Sequence, residues 1–74
     1  MGGVFLGFAE NLSRLQEQNG ESNYKLAKAL GVSQTSIANW KNGTDPHPIC
    51  LNVVANHYGI TVDELLKEEP QEGA

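Results

Sequence analysis

A short stretch in the middle of the chain combines polar side chains with two apolar ones at helical spacing. Ile37 and Trp40 are three residues apart, so on a helix they share the inner side. Gln and Asn side chains can pair bidentately with adenine, while Thr offers a hydroxyl and a methyl group to thymine. The stretch is therefore typical of a helix that reads base edges in the major groove of DNA. Its outward-facing polar residues are Gln34, Thr35, Ser36 and Asn39.

The turn before this stretch indicates how such a helix is positioned. Gly31 permits a sharp change of direction, Val32 fills the junction, and Ser33 can cap the helix that follows. Two short helices joined by a glycine-containing turn form a helix-turn-helix unit, whose second helix can enter the major groove.

The spacing of apolar residues predicts five short helices and no strand, so the predicted fold class is all-α, a compact five-helix domain. The first helix is expected from about 6 to 18, the fourth from about 49 to 57, and the fifth from 62 to about 68. A cap at Ser22 or Asn23 starts the second helix, which stops at Gly31. The third starts after Ser33 and stops at residues 42–43.

Two prolines interrupt the chain between the third and fourth helices. Because a proline disfavours the α conformation in the residue before it, residues 45–48 are predicted to form a non-helical connection. Trp40, Cys50 and Tyr58 fall on inward-facing stripes and are predicted core residues.

A chain of 74 residues is long enough for one small domain. Its net charge of −4 argues against a nucleic-acid partner, but the charge is unevenly placed. Residues 1–44 have four basic against three acidic side chains, whereas residues 45–74 have one basic against six acidic ones. We divide the chain into an N-terminal arm (1–5), a helix-turn-helix domain (6–68) and a disordered acidic tail (69–74).

Other chemistries find little support. The single cysteine, Cys50, fits a reducing compartment, and no apolar run is long enough for a membrane span, so we expect a cytoplasmic location. His47, Cys50 and His57 lack the tight spacing of a zinc site. The predicted helices bring together no catalytic triad or dyad. We therefore expect no enzyme activity, no metal, no cofactor and no small-molecule ligand.

Residues 22–43, SNYKLAKALGVSQTSIANWKNG, resemble the helix-turn-helix segment of the lambdoid phage repressor and Cro family, an XRE-like family. Residues 54–66, VANHYGITVDELL, are similar to the closing helices of the same five-helix domain. The resemblance covers roughly residues 8–68. It implies a sequence-specific DNA-binding domain of a repressor-type transcription regulator, of bacterial or phage origin.

The resemblance also implies which side chains contact DNA. Gln34, Thr35 and Asn39 lie where such repressors contact base edges, and Asn23 lies where a glutamine usually contacts a phosphate. Residues 42 and 44 lie in a loop that usually follows the DNA backbone. The predicted base contacts are Gln34, Thr35, Ser36 and Asn39, and the predicted phosphate contacts are Asn23, Lys25, Lys41, Asn42 and Thr44.

Two departures from the family pattern bear on affinity. The family commonly pairs an Arg late in the first helix with a Glu near the end of the third, and here those positions are Gln16 and Lys41. Lys41 is then expected to be free to turn towards a phosphate. The following loop holds Asp45 and His47 instead of additional basic residues, so modest binding with a modest salt dependence is predicted.

A single module contacts few base pairs, so we expect a homodimer on double-stranded DNA, at a two-fold operator with half-sites about 34 Å apart. The surface around the fifth helix, with Leu65 and Leu66, is the predicted pairing surface unless these side chains are internal. Two alternatives stay open. One is an antitoxin-like or regulatory protein-interaction module on the same fold, and the other is a structural helical domain of a larger assembly.

Overall fold

The computed structural model describes residues 7–67, and these form five α-helices without a strand. The predicted all-α, five-helix fold is confirmed. The N-terminal arm, Leu6 and the acidic tail from Glu68 onward lie outside the described residues. The helices are α1 (Phe8–Gln18), α2 (Asn23–Leu30), α3 (Gln34–Lys41), α4 (Pro48–Tyr58) and α5 (Val62–Leu66).

Local side chains start most of these helices. Ser22 accepts a hydrogen bond from the backbone N–H of Lys25, which settles the predicted choice of cap in favour of Ser22. Ser33 accepts from the N–H of Ser36 at the start of α3, as predicted. Thr61 and Glu64 form a reciprocal capping box at α5. Each cap satisfies backbone donors that the first turn of a helix leaves free.

The start of α4 differs from the prediction. Pro48 is the first residue of the helix and not part of the connection, because a proline at that position loses no helical hydrogen bond. His47 is extended and caps the helix with its Nδ1, which accepts from the N–H of Ile49. The helix also continues one residue further than expected, to Tyr58.

The core lies where the inner stripes of the helices meet. Ile37 and Trp40 are both buried, as predicted, and the Trp40 ring packs edge-to-face on Phe8 with ring centroids 6.0 Å apart. Cys50 and Tyr58 are only half-buried against this core, so their assignment to its interior was wrong in degree. The buried apolar residues are Phe8, Leu12, Leu26, Ala27, Ile37, Trp40, Leu51, Val54, Ala55 and Leu65.

A buried asparagine joins the two ends of the described chain. Asn11 donates from Nδ2 to the carbonyl oxygens of Leu65 and Lys67, each at 2.7 Å, and its Oδ1 accepts from Arg14. Gly7 passes so close to this end of α5 that a Cβ atom there would lie 2.4 Å from the carbonyl oxygen of Lys67. α5 is therefore attached to α1 by polar contacts as well as by apolar packing.

This attachment corrects the predicted pairing surface. Leu65 has no exposed area, and Leu66 is half-buried against the core, so Leu65 is an internal residue. The large apolar side chains that are exposed in residues 7–67 are Tyr24, Ile49 and Val53. No helix in the described part of the chain combines the length and hydropathy that a membrane crossing requires.

Candidate nucleic-acid interface

The turn between α2 and α3 sets the angle at which α3 leaves the domain. Gly31 adopts a left-handed backbone conformation with φ of 75°, which residues other than glycine rarely adopt. The N–H groups of Gly31 and Val32 both donate to the carbonyl oxygen of Ala27, at 2.9 and 3.1 Å. These bonds close α2 and direct the chain into Ser33, where α3 begins.

α3 presents an outer face of polar side chains over a buried apolar one. Gln34, Thr35 and Asn39 are exposed, and none of their side chains has a hydrogen-bond partner within residues 7–67. Their donors and acceptors are therefore available to another molecule. The buried Ile37 and Trp40 fix the rotation of the helix so that this face points outward.

Ser36 differs from these three residues in its burial and in its hydrogen bonds. It is half-buried, its N–H bonds to the Ser33 hydroxyl, and its own hydroxyl lies 3.1 Å from that of Ser33. The Ser36 hydroxyl is thus already engaged in the cap of α3.

The segment after α3 is held against the end of the helix. The N–H groups of Asn42 and Thr44 donate to the carbonyl oxygen of Asn39, at 3.1 and 2.9 Å. The side chains of Asn42 and Thr44, which follow α3 directly, are exposed. Lys25 is exposed in the first turn of α2.

Asn23 is the point at which three helices meet through polar side chains. Its Oδ1 accepts from Nε2 of Gln16 on α1 at 3.0 Å and from Nζ of Lys41 on α3 at 3.1 Å. The expectation that Lys41 is free was therefore wrong, because its ammonium group is already bonded to Asn23. We call Gln16, Asn23 and Lys41 the polar triad. Two of its members, Gln16 and Lys41, are at the positions where the resemblance to phage repressors implies an ion pair.

The triad leaves one buried acceptor without a donor. Gln16 is 3% exposed, and its Oε1 has no hydrogen-bond partner within the described residues. Leaving a buried polar atom unpaired costs roughly 1–3 kcal/mol of folding free energy. Such an atom calls for a physical reason, since most buried polar atoms are paired.

A second polar cluster joins the α1–α2 turn to the end of α4. Glu21 accepts from the Tyr58 hydroxyl at 2.6 Å, and its other oxygen lies 2.6 Å from Nε2 of His57. Burial, followed by the hydrogen bond to Glu21 and its charge, raises the pKa of Tyr58 above its usual range. Sequence reasoning missed this cluster, and no local signal indicates it, because its partners are 36 and 37 residues apart.

The three residues considered for a metal do not form a site. His47 caps α4 through Nδ1, His57 contacts Glu21, and Cys50 packs against the core. Within residues 7–67, no three His, Cys, Asp or Glu side chains are placed to hold a metal ion together.

Comparison with known proteins agrees with this geometry. The sequence pattern of the helix-turn-helix family matches residues 12–65. The chain is 33% identical over 63 residues to the HTH-type transcriptional activator BcrR of Enterococcus faecalis, a match that covers 84% of this chain and 31% of that protein. It is also similar to the crystal structure of a transcriptional regulator from Listeria innocua, with 36% identity and a TM-score of 0.74 over 88% of this chain and 61% of that one. The chain thus spans about a third of the length of the curated relative and under two thirds of the solved one.

Proposed function

Because the chain belongs to the helix-turn-helix family, we propose that it is a sequence-specific DNA-binding domain of a transcription regulator, with α3 in the major groove. The observation that carries this proposal is the division of α3 into two faces. Gln34, Thr35 and Asn39 are exposed and have no side-chain partner within residues 7–67, whereas Ile37 and Trp40 beneath them are buried. Amide and hydroxyl groups on short side chains are the groups that read adenine and thymine in that groove. A domain of this family binds DNA and is not an enzyme.

The residues around α3 supply donors for the DNA backbone. Asn23 and Lys25 lie in the first turn of α2, and Lys41 is the last residue of α3. Asn42 and Thr44 follow α3, and phosphate contacts of this kind fix the register of a protein on the duplex. Only two of these five side chains are charged, so the affinity is expected to depend modestly on salt.

The partner is double-stranded DNA, and the proposed active form is a homodimer on a two-fold operator. One module reaches a few base pairs, and two-fold symmetry doubles the number of base contacts per binding event. We retain repression as the proposed regulatory effect, on the resemblance to phage repressors. The relative from Enterococcus faecalis, however, is named an activator. A reporter assay distinguishes the two effects by measuring transcription with the selected operator placed either over a promoter or upstream of it.

The decisive experiment selects bound duplexes from a random pool and then follows backbone amide chemical shifts of the protein as the selected duplex is added. The proposal expects a sequence consensus and shift changes concentrated on residues 33–44. Matched variants Asn39→Ala on α3 and Asn52→Ala on the exposed side of α4 complete the test, and only the first should weaken binding. Absence of any shift change at low salt would reject DNA binding and favour the protein-interaction alternative.

A further inference from the structure

Gln16 is buried, yet its side chain donates a hydrogen bond to Asn23, which is one of the proposed phosphate contacts. We propose that buried Gln16 is a positioning residue, which holds Asn23 and Lys41 together as one prepared phosphate-binding clamp. This inference rests on the proposed function, because it assigns the clamp to the DNA backbone. From the sequence alone, Gln16 indicated only that the ion pair common in the family is absent here.

The chemistry of lysine fixes the orientation of the Asn23 amide. An ammonium group donates hydrogen bonds and accepts none, so the Asn23 atom that faces Lys41 Nζ is the oxygen. That oxygen has two lone pairs, and Gln16 Nε2 takes the second. Rotating the amide by half a turn would bring an NH₂ group against two donors. Asn23 Nδ2 therefore stays on the opposite side, where neither of its N–H groups has a partner within residues 7–67.

The same logic explains the unpaired oxygen of Gln16. Since Gln16 faces Asn23 Oδ1 with its Nε2, its Oε1 points the other way, where no donor of residues 7–67 reaches it. An apolar side chain of similar length would fill this space without a stranded acceptor. The amide of Gln16 thus donates a hydrogen bond to Asn23 while its own oxygen is left without a donor. Packing alone does not require an amide at this position.

The resulting clamp has the donors that a phosphate needs. Phosphate oxygens accept hydrogen bonds, and the clamp offers the two free N–H groups of Asn23 and the two free N–H groups that Lys41 keeps after bonding to Asn23. Lys41 has a long flexible stem, and holding it before DNA arrives removes part of the ordering entropy that binding otherwise requires. Gln16 acts through Asn23 and does not touch the phosphate.

The test uses Gln16→Met in the 74-residue chain, with Gln18→Met, an exposed neighbour on α1, as the matched control. Gln16→Met should lower affinity for the selected duplex by about fivefold, the effect of one modest hydrogen bond. Its urea unfolding midpoint should be unchanged or raised, because the stranded acceptor is gone. In the Asn23→Ala background, Gln16→Met should cause no further loss of affinity. Equal affinity losses with and without Asn23, or a lower midpoint that accounts for the loss, would overturn the proposal.

A measurement on the unaltered chain keeps the proposal testable if Gln16→Met does not fold. In the absence of DNA, the side-chain amide of Asn23 should be nearly as ordered as the backbone, with an order parameter above about 0.8, while that of exposed Asn52 should lie below about 0.6. Similar disorder at both amides would reject positioning by Gln16. This readout needs no DNA, so it separates failure of the clamp from failure of DNA binding, which the duplex selection decides.

Discussion

At the scale of single residues, the proposed interface divides into side chains proposed to read bases and side chains proposed to hold the DNA backbone. Gln34, Thr35 and Asn39 lack partners within residues 7–67, whereas Asn23 and Lys41 are already bonded to each other. An unpartnered amide can adjust to a base edge, and a pre-bonded ammonium suits the less selective task of phosphate binding. Ser36 fits neither group well, because its hydroxyl is occupied at the cap of α3.

Gln34 is expected to contribute to sequence discrimination. Gln34→Ala should reduce the difference in binding free energy between the selected operator and a duplex with a changed base pair by about 1–3 kcal/mol, because one bidentate base contact is lost. The salt dependence of binding should stay unchanged, since no charge is removed. Titrations of both duplexes at several salt concentrations measure these quantities. Gln18→Ala is the control, and an equal loss of affinity for both duplexes would remove Gln34 from the reading residues.

Lys41 is expected to contribute to affinity without sequence preference. Lys41→Met keeps the aliphatic stem, removes the charge, and should weaken binding to all duplexes alike. The slope of log affinity against log salt should decrease by about one counterion. Lys28→Met removes the same charge from an exposed site on α2 and should leave the slope nearly unchanged. Identical slopes for the two variants would show that net charge matters and that the position of Lys41 does not.

At the scale of helices, the sequence predicts the helices themselves, because their caps and stops depend on neighbouring residues. It does not predict the contacts between helices, because the partners are far apart in the sequence. The caps at Ser33 and Thr61 involve bonds across three residues, so the sequence alone indicates them. Pro48 was misassigned because the rule for the residue before a proline was extended to the proline itself, which suits the first position of a helix.

Contacts between helices depend on the packing of the whole chain, so sequence patterns do not reveal them. Lys41 and Asn23 are 18 residues apart, and Tyr58 and Glu21 are 37 apart. A residue at the edge of an apolar stripe can be buried in the core or can hydrogen-bond to a neighbouring segment at its surface, and the stripe does not distinguish these outcomes. This explains why Tyr58 was expected in the core although its hydroxyl reaches Glu21.

The Glu21–Tyr58 contact predicts a loss of stability at high pH. The folded state raises the pKa of Tyr58, whereas in the unfolded chain it lies near its usual value of about 10. Above pH of about 10 the folded state therefore holds more protons than the unfolded state, and stability must fall as pH rises. Below that pH this contribution is fully present and constant.

Urea unfolding of Tyr58→Phe from neutral to strongly alkaline pH measures this contribution. The variant should lose about 1–2 kcal/mol at neutral pH, because the hydrogen bond to Glu21 is absent. Its further loss above pH of about 10 should be smaller than that of the unaltered chain. Tyr24→Phe, at an exposed position on α2, serves as the control and should keep the full alkaline loss. Parallel curves for all three proteins would contradict a role for Tyr58.

At the scale of the molecule, α1 is the element that joins the helix-turn-helix unit, α2 and α3, to α5 at the end of the described chain. Its Phe8 packs on Trp40 of α3, its Gln16 bonds to Asn23 of α2, and its Asn11 bonds to the end of α5. The two polar contacts start from one helix but have partners on different helices, α2 for Gln16 and α5 for Asn11. Disturbing one of them is therefore expected to separate stability from DNA binding.

Asn11→Ala should test this separation. It removes both donors to the carbonyl oxygens of Leu65 and Lys67, and the Leu65 oxygen stays buried, so the free energy of unfolding should fall by about 2–3 kcal/mol. Urea unfolding measures this loss, and Ser13→Ala, at an exposed position on α1, should cost under about 0.5 kcal/mol. Because the hydrogen bonds of the Asn11 side chain go to Leu65, Lys67 and Arg14 and not to α3, affinity for the selected duplex should hold within about twofold wherever the variant is folded. A parallel fall in affinity and stability would mean that α5 supports α3 directly. The proposed separation of stability, at Asn11, from DNA binding, at Gln16, would then be wrong.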